Sequence, residues 1–287
     1  MTLGKIASVH RYPVKSMKGE TIDEACVGKN GIPGDRAWAV RDEVRGGIRG
    51  AKKIPGLMEF SAHYESPPGA EGSSIATITF SDGARMRTGD QNINARLSSE
   101  LDHEVSLWPL MPEDQLDHYR RGAPDTEDFE KELREIFGRT EEEPLPDLSV
   151  FPPELLEYES PPGTYFDAFP LLILSRKSIE TMGERQPGSR FDLRRFRPNF
   201  LVEDTLELED FPEETWEGSR LQIGSAVLKA ELVCPRCVVT TQSFDDLPRD
   251  PSVMRALVRE NGGNLGLYAS VEQPGKISVG DSINRLE

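Results

Sequence analysis

Alternating apolar and polar residues dominate the first hundred positions of the chain, and this spacing is typical of strands with one buried face. The alternation predicts strands at residues 5–12, 21–27, 37–40, 57–64 and 104–107. A hairpin is predicted where residues 76–80 and 84–88 flank Asp82-Gly83, since this pair favours a tight turn. Asp90 is predicted to cap a helix that ends at Leu101. Strands this short, separated by Gly and Pro, favour an antiparallel sheet or barrel over βαβ units.

Residues 161–287 mix the spacings of strands and helices. They predict strands at 169–174 and 199–203, helices at 175–185 and 250–261, a hairpin over 218–237, and a closing hairpin of 266–271 with 276–281. Between the two halves, residues 126–137 have helical spacing, and we predict there a solvated excursion that carries one amphipathic helix. The expected fold class is therefore mixed and β-rich (α+β), with divisions at 1–110, 111–160 and 161–287.

The formal net charge of −16 is concentrated in one segment of the chain. Residues 113–160 hold sixteen acidic and five basic residues, so eleven of the net negative charges lie there. Such a chain is a poor ligand for nucleic acid, whose binding depends on clustered Lys and Arg. We interpret the acidic segment as a surface that aids solubility, with docking of a redox partner as the alternative. The rest of the chain is nearly neutral, which leaves room for a local basic pocket.

Composition also bounds the location of the protein. No window reaches the roughly 20 consecutive apolar residues of a membrane helix, and the N-terminus lacks an apolar leader, so no membrane association is expected. Three cysteines are too few for a disulfide framework, which makes a reducing cytoplasm the expected compartment.

Two of the three cysteines stand in the run Cys234-Pro235-Arg236-Cys237. A guanidinium stays protonated and so favours the thiolate form of a neighbouring cysteine, which attacks electrophiles and binds soft metals. The C-x-x-C spacing also occurs in dithiol redox sites, but those begin a helix, whereas this run follows a predicted strand. A structural zinc site needs four ligands, and the four histidines all lie before residue 119 without the spacing of a zinc-binding helix. Two buried cysteines that only fill space are a further interpretation.

Basic residues stand beside turn-forming residues at three other places. Lys15 and Ser16 come shortly after Pro13, where the first predicted strand ends, and Arg36 follows Asp35 just before the strand predicted at 37–40. Arg195 and Arg197 alternate with an aromatic residue, and in an extended chain they would share one face. Each cluster alone is typical of surface charge, but together they could supply charge-assisted hydrogen bonds to a phosphate group.

Five runs in this order resemble those of the MOSC superfamily, specifically its two-part members, which include the mitochondrial amidoxime-reducing components and bacterial relatives. The runs are 12–16 (YPVKS), 34–36 (GDR), 196–199 (FRPN), 234–241 (CPRCVVTT) and 274–281 (PGKISVGD). The resemblance implies a MOSC N-terminal β-barrel-like region at 1–110, an acidic, partly helical connecting segment at 111–160, and a MOSC β-barrel domain with peripheral helices at 161–287.

The resemblance also implies a molybdenum cofactor, a pyranopterin dithiolene that holds the metal together with one protein cysteine. The ligand in the family is the second cysteine of the run, so Cys237 is the expected metal ligand and catalytic residue, and a soft thiolate suits that metal. By position, the implied cofactor-binding residues are Lys15, Ser16, Arg36, Arg197, Asn199, Arg236 and Tyr268. Cys234 matches a position that is often cysteine, and we expect it to play a supporting part.

The function implied is reduction of N-hydroxylated compounds, such as N-hydroxylamines, amidoximes or hydroxylated bases. Electrons are expected from a separate flavin, haem or iron–sulfur protein, because this sequence carries no ferredoxin-like cysteine set. The chain departs from the family at residues 242–246, directly after the cysteine run, which leaves the choice of substrate open. Two alternatives remain: a sulfur carrier or cofactor-handling protein with a persulfide on Cys237, and a protein that binds another phosphorylated ligand.

Overall fold

A computed structural model describes residues 1–204 and 210–286; residues 205–209 and Glu287, which belong to the predicted 161–287 division, lie outside the described residues. The strands are β1 (Thr2–Arg11), β2 (Glu20–Ile22), β3 (Glu24–Val27), β4 (Trp38–Asp42), β5 (Ser61–His63), β6 (Thr77–Thr79), β7 (Arg85–Arg87), β8 (Val105–Pro109), β9 (Leu171–Ser175), β10 (Phe200–Asp204), β11 (Arg220–Ile223), β12 (Ala226–Pro235), β13 (Asn264–Gln273), β14 (Gly275–Ser278) and β15 (Ser282–Arg285). The α-helices are α1 (Ile93–Leu101), α2 (Leu116–Tyr119), α3 (Phe129–Phe137), α4 (Glu154–Glu157), α5 (Arg176–Arg185), α6 (Leu193–Phe196) and α7 (Pro251–Asn261). Short 3-10 helices span Pro55–Glu59, Pro212–Trp216 and Val238–Thr241. Within the described ranges, every helix is too short or too polar to cross a membrane.

A closed β-barrel of seven strands forms the larger part of the molecule. The strand order is β10-β9-β13-β12-β11-β15-β1, and pairing of β1 with β10 closes the barrel. All neighbours are antiparallel except β9 and β10. Every strand contributes buried apolar side chains to one cluster, among them Ile6, Ile173, Phe200, Leu228 and Ile283. Closure leaves no open barrel edge, and the predicted β-rich α+β class is confirmed.

A smaller unit of two sheets and a helix, which we call the N-terminal unit, packs beside the barrel. It consists of the ribbon β4–β8, the sheet β5–β6–β7 and helix α1 around a second apolar core. The predicted hairpin around Asp82-Gly83 is confirmed, since β6 pairs with β7. The strand predicted at 57–64 is shorter, because Pro55 starts a 3-10 helix and pairing begins at Ser61. Helix α1 begins after Asn92, because the Asp90 carboxylate instead accepts a hydrogen bond from Arg87 N at 2.8 Å.

Two predicted features near the site are wrong. The closing hairpin does not form, because β13 already pairs with β12 and β9, and β14 pairs instead with β3 near the start of the chain. Arg195 and Arg197 do not share a face of an extended chain. Arg195 lies in the short helix α6, and Arg197 follows it in a left-handed conformation with a φ of 55°.

The acidic segment is anchored to the rest of the molecule at several points, while its helix α3 has no buried residue, which agrees with the predicted solvated excursion. Lys53 Nζ lies 2.7 Å from the Asp125 carboxylate and 2.5 Å from that of Glu132. Tyr119 and Tyr158 are buried in a cluster with residues of the N-terminal unit. The predicted amphipathic helix is present as α3, and the segment also carries the short helices α2 and α4.

Candidate functional site

A basic cleft lies where the barrel meets the N-terminal unit. It encloses about 820 Å³ of space between atoms, counting the part that is open to solvent. All eight side chains singled out from the sequence line it: Lys15, Ser16, Arg36, Arg197, Asn199, Arg236, Cys237 and Tyr268. Residues that are distant in sequence therefore meet in one place, and the contacts of each show what it can do there.

Backbone conformation concentrates strain at this cleft. Five non-glycine residues of the described chain have a positive φ, and three of them, Ser16 (71°), Arg36 (49°) and Arg197 (55°), line the cleft. Such conformations are costly for residues with a Cβ and tend to cluster at functional sites. Gly50 sits so close that a Cβ there would lie 2.5 Å from Ser16 Oγ. Ser16 Oγ itself accepts a hydrogen bond from Ala51 N at 2.8 Å.

Two guanidinium groups face the ring of Tyr12. The carbon at the centre of the Arg36 guanidinium lies 5.0 Å from the ring centroid, and that of Arg197 lies 4.3 Å away. Arg197 Nη1 donates to Met17 O at 2.7 Å, whereas its buried Nη2 has no hydrogen-bond partner within the described part of the chain. Burial lowers the pKa of Arg197 to about 10. Both groups remain cationic at neutral pH and give this part of the cleft wall positive charge.

A buried carboxylate, Asp35, organises the residues beneath these guanidiniums. Its Oδ1 accepts from Tyr12 N at 2.7 Å, and its Oδ2 accepts from Asn199 Nδ2 at 3.0 Å and from Arg36 Nη1. Asn199 also donates to His10 O at 3.3 Å and accepts from Leu172 N at 3.1 Å. Both amide hydrogens of Asn199 are thus used within the protein, so its contacts are those of a residue that positions Asp35.

A row of two lysines and a carboxylate forms another wall. Lys15 Nζ donates to Tyr165 O and to Asp167 Oδ1, both at 2.7 Å, and Lys52 Nζ lies 3.4 Å from the same carboxylate oxygen. Burial lowers the pKa of Lys15, and the charge of Asp167 partly offsets that effect. Burial alone would raise the pKa of Asp167, but the two lysines hold it well below its usual range.

Lys52 and Asp167 were not identified from the sequence. Lys52 stands in a run of two lysines that is typical of a solvated surface, and no spacing connects it to the cysteine run. Asp167 lies just before a predicted strand, which is a weak signal for a position at a strand end. Both enter the cleft only through tertiary packing.

The two cysteines have different surroundings. Cys234 is 3% exposed, and burial raises the pKa of its thiol. Arg236 Nη1 donates to Cys234 Sγ at 3.0 Å and Arg236 Nη2 to Phe196 O at 2.6 Å, so this guanidinium contacts the first cysteine of the run. Cys237 is half-buried, precedes the 3-10 helix Val238–Thr241, and lines the cleft as a free thiol. The second cysteine is therefore the accessible one.

Tyr268 projects from β13 beside these cysteines. Its ring lies 5.4 Å from that of Phe169, measured between centroids, and together they form an aromatic part of the wall. Burial raises the pKa of the Tyr268 hydroxyl well above its ordinary value, so it stays protonated at neutral pH. It can donate one hydrogen bond there.

Charge in the cleft is opposite to that of the whole protein. Of the residues that the structure describes, six with cationic side chains line it, and the acidic ones are Glu159 and Asp167. Arg195 differs from the other cations, because its guanidinium donates to four backbone carbonyls, including those of Thr240 and Gln242. Arg195 thus fixes the loop after the cysteine run. The remaining cations suit an anionic ligand.

Among residues 1–204 and 210–286, no group of three or more His, Cys, Asp or Glu side chains is arranged to hold a metal ion. A metal at Cys237 must therefore bring further ligands of its own.

Comparison with known proteins identifies two matching families and several similar chains. Residues 3–110 match the MOSC N-terminal beta barrel domain, and residues 162–284 match the MOSC domain. The mitochondrial amidoxime reducing component 2 of Homo sapiens is 28% identical over 311 residues, which cover 99% of this chain and 84% of that protein. Component 1 of Homo sapiens is 25% identical, with 99% and 83% covered. A crystal structure of the YUAD protein from Bacillus subtilis aligns with a TM-score of 0.44 and 15% identity, over 99% of this chain and 94% of that one.

Proposed function

We propose that this chain, which belongs to the MOSC family, binds a molybdenum cofactor in the basic cleft and reduces N-hydroxylated compounds. The observation that carries the proposal is the meeting of one accessible thiol, Cys237, with guanidiniums that have buried nitrogens without a partner. The similarity to the amidoxime reducing components supports the choice of reaction. We place the protein in the cytoplasm.

The residues of the cleft fit such a cofactor. Arg197 Nη2 and Arg236 Nε are buried and have no hydrogen-bond partner in the described ranges. A buried donor without a partner costs about 1–3 kcal/mol, and more when it is charged. A phosphate or a polar ring of the cofactor would supply the missing acceptors and so recover this free energy. Cys237 would supply the single protein ligand to the metal.

We assign the other residues according to the bonds they have free. Arg36 and Arg197, which both contact the ring of Tyr12, would hold the phosphate. Lys15 has one ammonium hydrogen left after its bonds to Tyr165 and Asp167, and it would point that hydrogen at the same anion. Asn199 would act indirectly by holding Asp35.

Ser16 and Tyr268 complete the proposed set of binding residues. Ser16 accepts a bond from Ala51 N and keeps its own hydroxyl proton for a ligand. Tyr268 would donate from its protonated hydroxyl beside Cys234. Arg236 would hold Cys234 in place and present its free Nε to the cofactor.

The bound cofactor supplies the two-electron chemistry, which the protein side chains cannot perform. Reduction of an N–OH group to N–H breaks the N–O bond, consumes two electrons and two protons, and releases the oxygen as water. A separate flavin, haem or iron–sulfur protein would supply the electrons. Within the cleft, Asp167 would pair with Lys15 and Lys52 and hold both side chains in place at the wall.

Metal and pterin content tests the proposal. Wild type, Cys237→Ala and Cys234→Ala should be made in a host that is supplied with molybdate and able to synthesise the cofactor. We expect molybdenum and pterin in wild type, benzamidoxime reduction with an artificial electron donor, and loss of that activity in Cys237→Ala but not in Cys234→Ala. Wild-type protein without metal or pterin would overturn the proposal. A labile adduct of about 32 Da on Cys237 in that metal-free protein would instead identify a sulfur carrier.

A further inference from the structure

Exposed apolar side chains are concentrated in the acidic segment. Among the described residues, eight large apolar side chains are exposed, and four of these lie between residues 113 and 160: Leu116, Phe129, Val150 and Leu156. The segment is thus both the most acidic part of the chain and the richest in exposed apolar surface. A surface that only aids solubility has no need of the second property.

Two of these side chains lie on neighbouring short helices. The C-terminal ends of α2 and α4 are joined, because Glu159 N donates to Tyr119 O at 3.0 Å and Arg121 N donates to Glu157 O at 3.1 Å. Leu116 on α2 is 41% exposed and Leu156 on α4 is 66% exposed. We call Leu116, Asp117, Glu154, Leu156 and Glu157 the α2–α4 surface.

Carboxylates stand next to both leucines of this surface along the chain. The Asp117 side chain is 99% exposed and that of Glu157 is 52% exposed, and one arginine, Arg120, bridges them. Glu154 is exposed without an ion pair in the described structure, and Glu113 and Asp114 lie just before α2. The charge around the apolar centre is therefore strongly negative, and it favours a partner with a positive rim.

The α2–α4 surface borders the cleft. Glu159, two residues after α4, lines the cleft and pairs with Arg121, which also donates to Leu155 O at 2.6 Å. Tyr158, which connects the end of α4 to Glu159, is buried. A protein docked on α2 and α4 would therefore stand at the edge of the opening that leads to Cys237.

We infer that the α2–α4 surface docks the electron donor, and that the donor is a small redox protein with a basic rim around an apolar contact. The inference rests on the proposed function, because it names the partner of the same site. Two exposed leucines with carboxylates beside them suit a small, transient contact of the kind that redox partners make. Complementary charge would raise the association rate, and added salt would reduce that rate.

Flavodoxin provides a donor whose charge can be changed. One form is native and acidic, and in the other several carboxylates near the flavin are replaced by lysine; both are reduced photochemically before use. With benzamidoxime as substrate, we expect wild type to have a higher kcat/KM for the lysine-substituted donor, and the advantage to shrink as ionic strength rises. Methyl viologen, which needs no docking surface, measures the reaction itself.

The double variant Leu156→Lys/Glu157→Lys tests the location. Its kcat/KM with lysine-substituted flavodoxin should fall about tenfold, its affinity for the oxidised form of that donor should fall in parallel, and its methyl viologen rate should stay at the wild-type level. The matched control is Val279→Lys/Glu272→Lys, which changes an exposed apolar residue and an ion-paired acid outside the acidic segment. The control should behave as wild type.

Different failures have different meanings. If methyl viologen drives the reaction but the double variant matches wild type with both flavodoxins, the docking inference is wrong and the proposed function stands. If methyl viologen drives no reduction in metal-loaded wild type, the proposed function fails and the docking inference fails with it. Equal loss in the variant and its control would also overturn the inference, because general charge would then explain the effect.

Discussion

Asp35→Asn offers a sharp test of how the cleft is held together. The substitution preserves shape but removes the charge beneath Arg36. The Asp35 side chain is fully buried and accepts hydrogen bonds from Tyr12 N, Asn199 Nδ2 and Arg36 Nη1. The asparagine side chain has one acceptor oxygen and one NH2 group, which only donates. In either orientation its NH2 group must therefore lie against an N–H donor that Asp35 had accepted from.

The magnitude follows from the bonds that are lost. A hydrogen bond to a charged group contributes about 1.5–3 kcal/mol, and a buried donor left without a partner costs about 1–3 kcal/mol. Removing one member of a buried ion pair costs about 3–5 kcal/mol as a whole. We therefore expect Asp35→Asn to lower the free energy of unfolding by about 3–5 kcal/mol.

Urea unfolding of cofactor-free protein, followed by tryptophan fluorescence and circular dichroism, measures the loss directly. Asp23→Asn, at an exposed position, serves as the control and should stay within about 0.5 kcal/mol of wild type. If the free energy of unfolding of Asp35→Asn also lies within about 0.5 kcal/mol of wild type, as expected for a surface change, the view that this carboxylate organises the cleft is refuted.

Three further changes have expected outcomes. Gly50→Ala should keep the fold, measured by its thermal midpoint, but lower cofactor content, because the new Cβ would lie 2.5 Å from Ser16 Oγ. Arg197→Met should stabilise cofactor-free protein in urea by about 1–3 kcal/mol, since it removes a buried cation with a free nitrogen, while cofactor content falls. Burial raises the pKa of Glu213 to about 7 from 4.5, so wild-type stability should decline as pH rises through that interval. Glu213→Gln should abolish that decline, match wild type near pH 4.5, and be more stable than wild type above pH 7 when unfolding is compared across pH.

Sequence patterns could predict local structure and the identity of many cleft residues. The Asp82-Gly83 hairpin depends on neighbouring residues alone and is confirmed. The prediction of a closing hairpin is wrong because β14 pairs with β3. These strands lie some 250 residues apart in the sequence, as the pairing of Lys276 with Cys26 shows. Local alternation carries no information about such a pairing.

Side-chain directions within the cleft were less accessible to prediction. An alternating Arg-Phe-Arg run predicts an extended chain. Arg195 instead lies in helix α6 and donates to backbone carbonyls, and the left-handed turn at Arg197 directs that side chain toward Met17. A positive φ leaves no sequence signal at an arginine, because only Gly, Asn, Asp and His are enriched in that conformation. Lys52 could not be distinguished from a surface lysine for a similar reason, since only tertiary packing brings it to Asp167.

The position of β1 has a consequence for how the molecule folds. Gly4 and Lys5 pair on one side with β15, close to the end of the chain, and on the other side with β10. During synthesis the first strand must therefore wait for nearly the whole chain before its ladder can form, and contacts so distant in sequence make folding slow. A fragment that starts at residue 161 would expose the edges of β10 and β15 and would be prone to aggregate. The N-terminal strand is therefore the piece that closes the barrel.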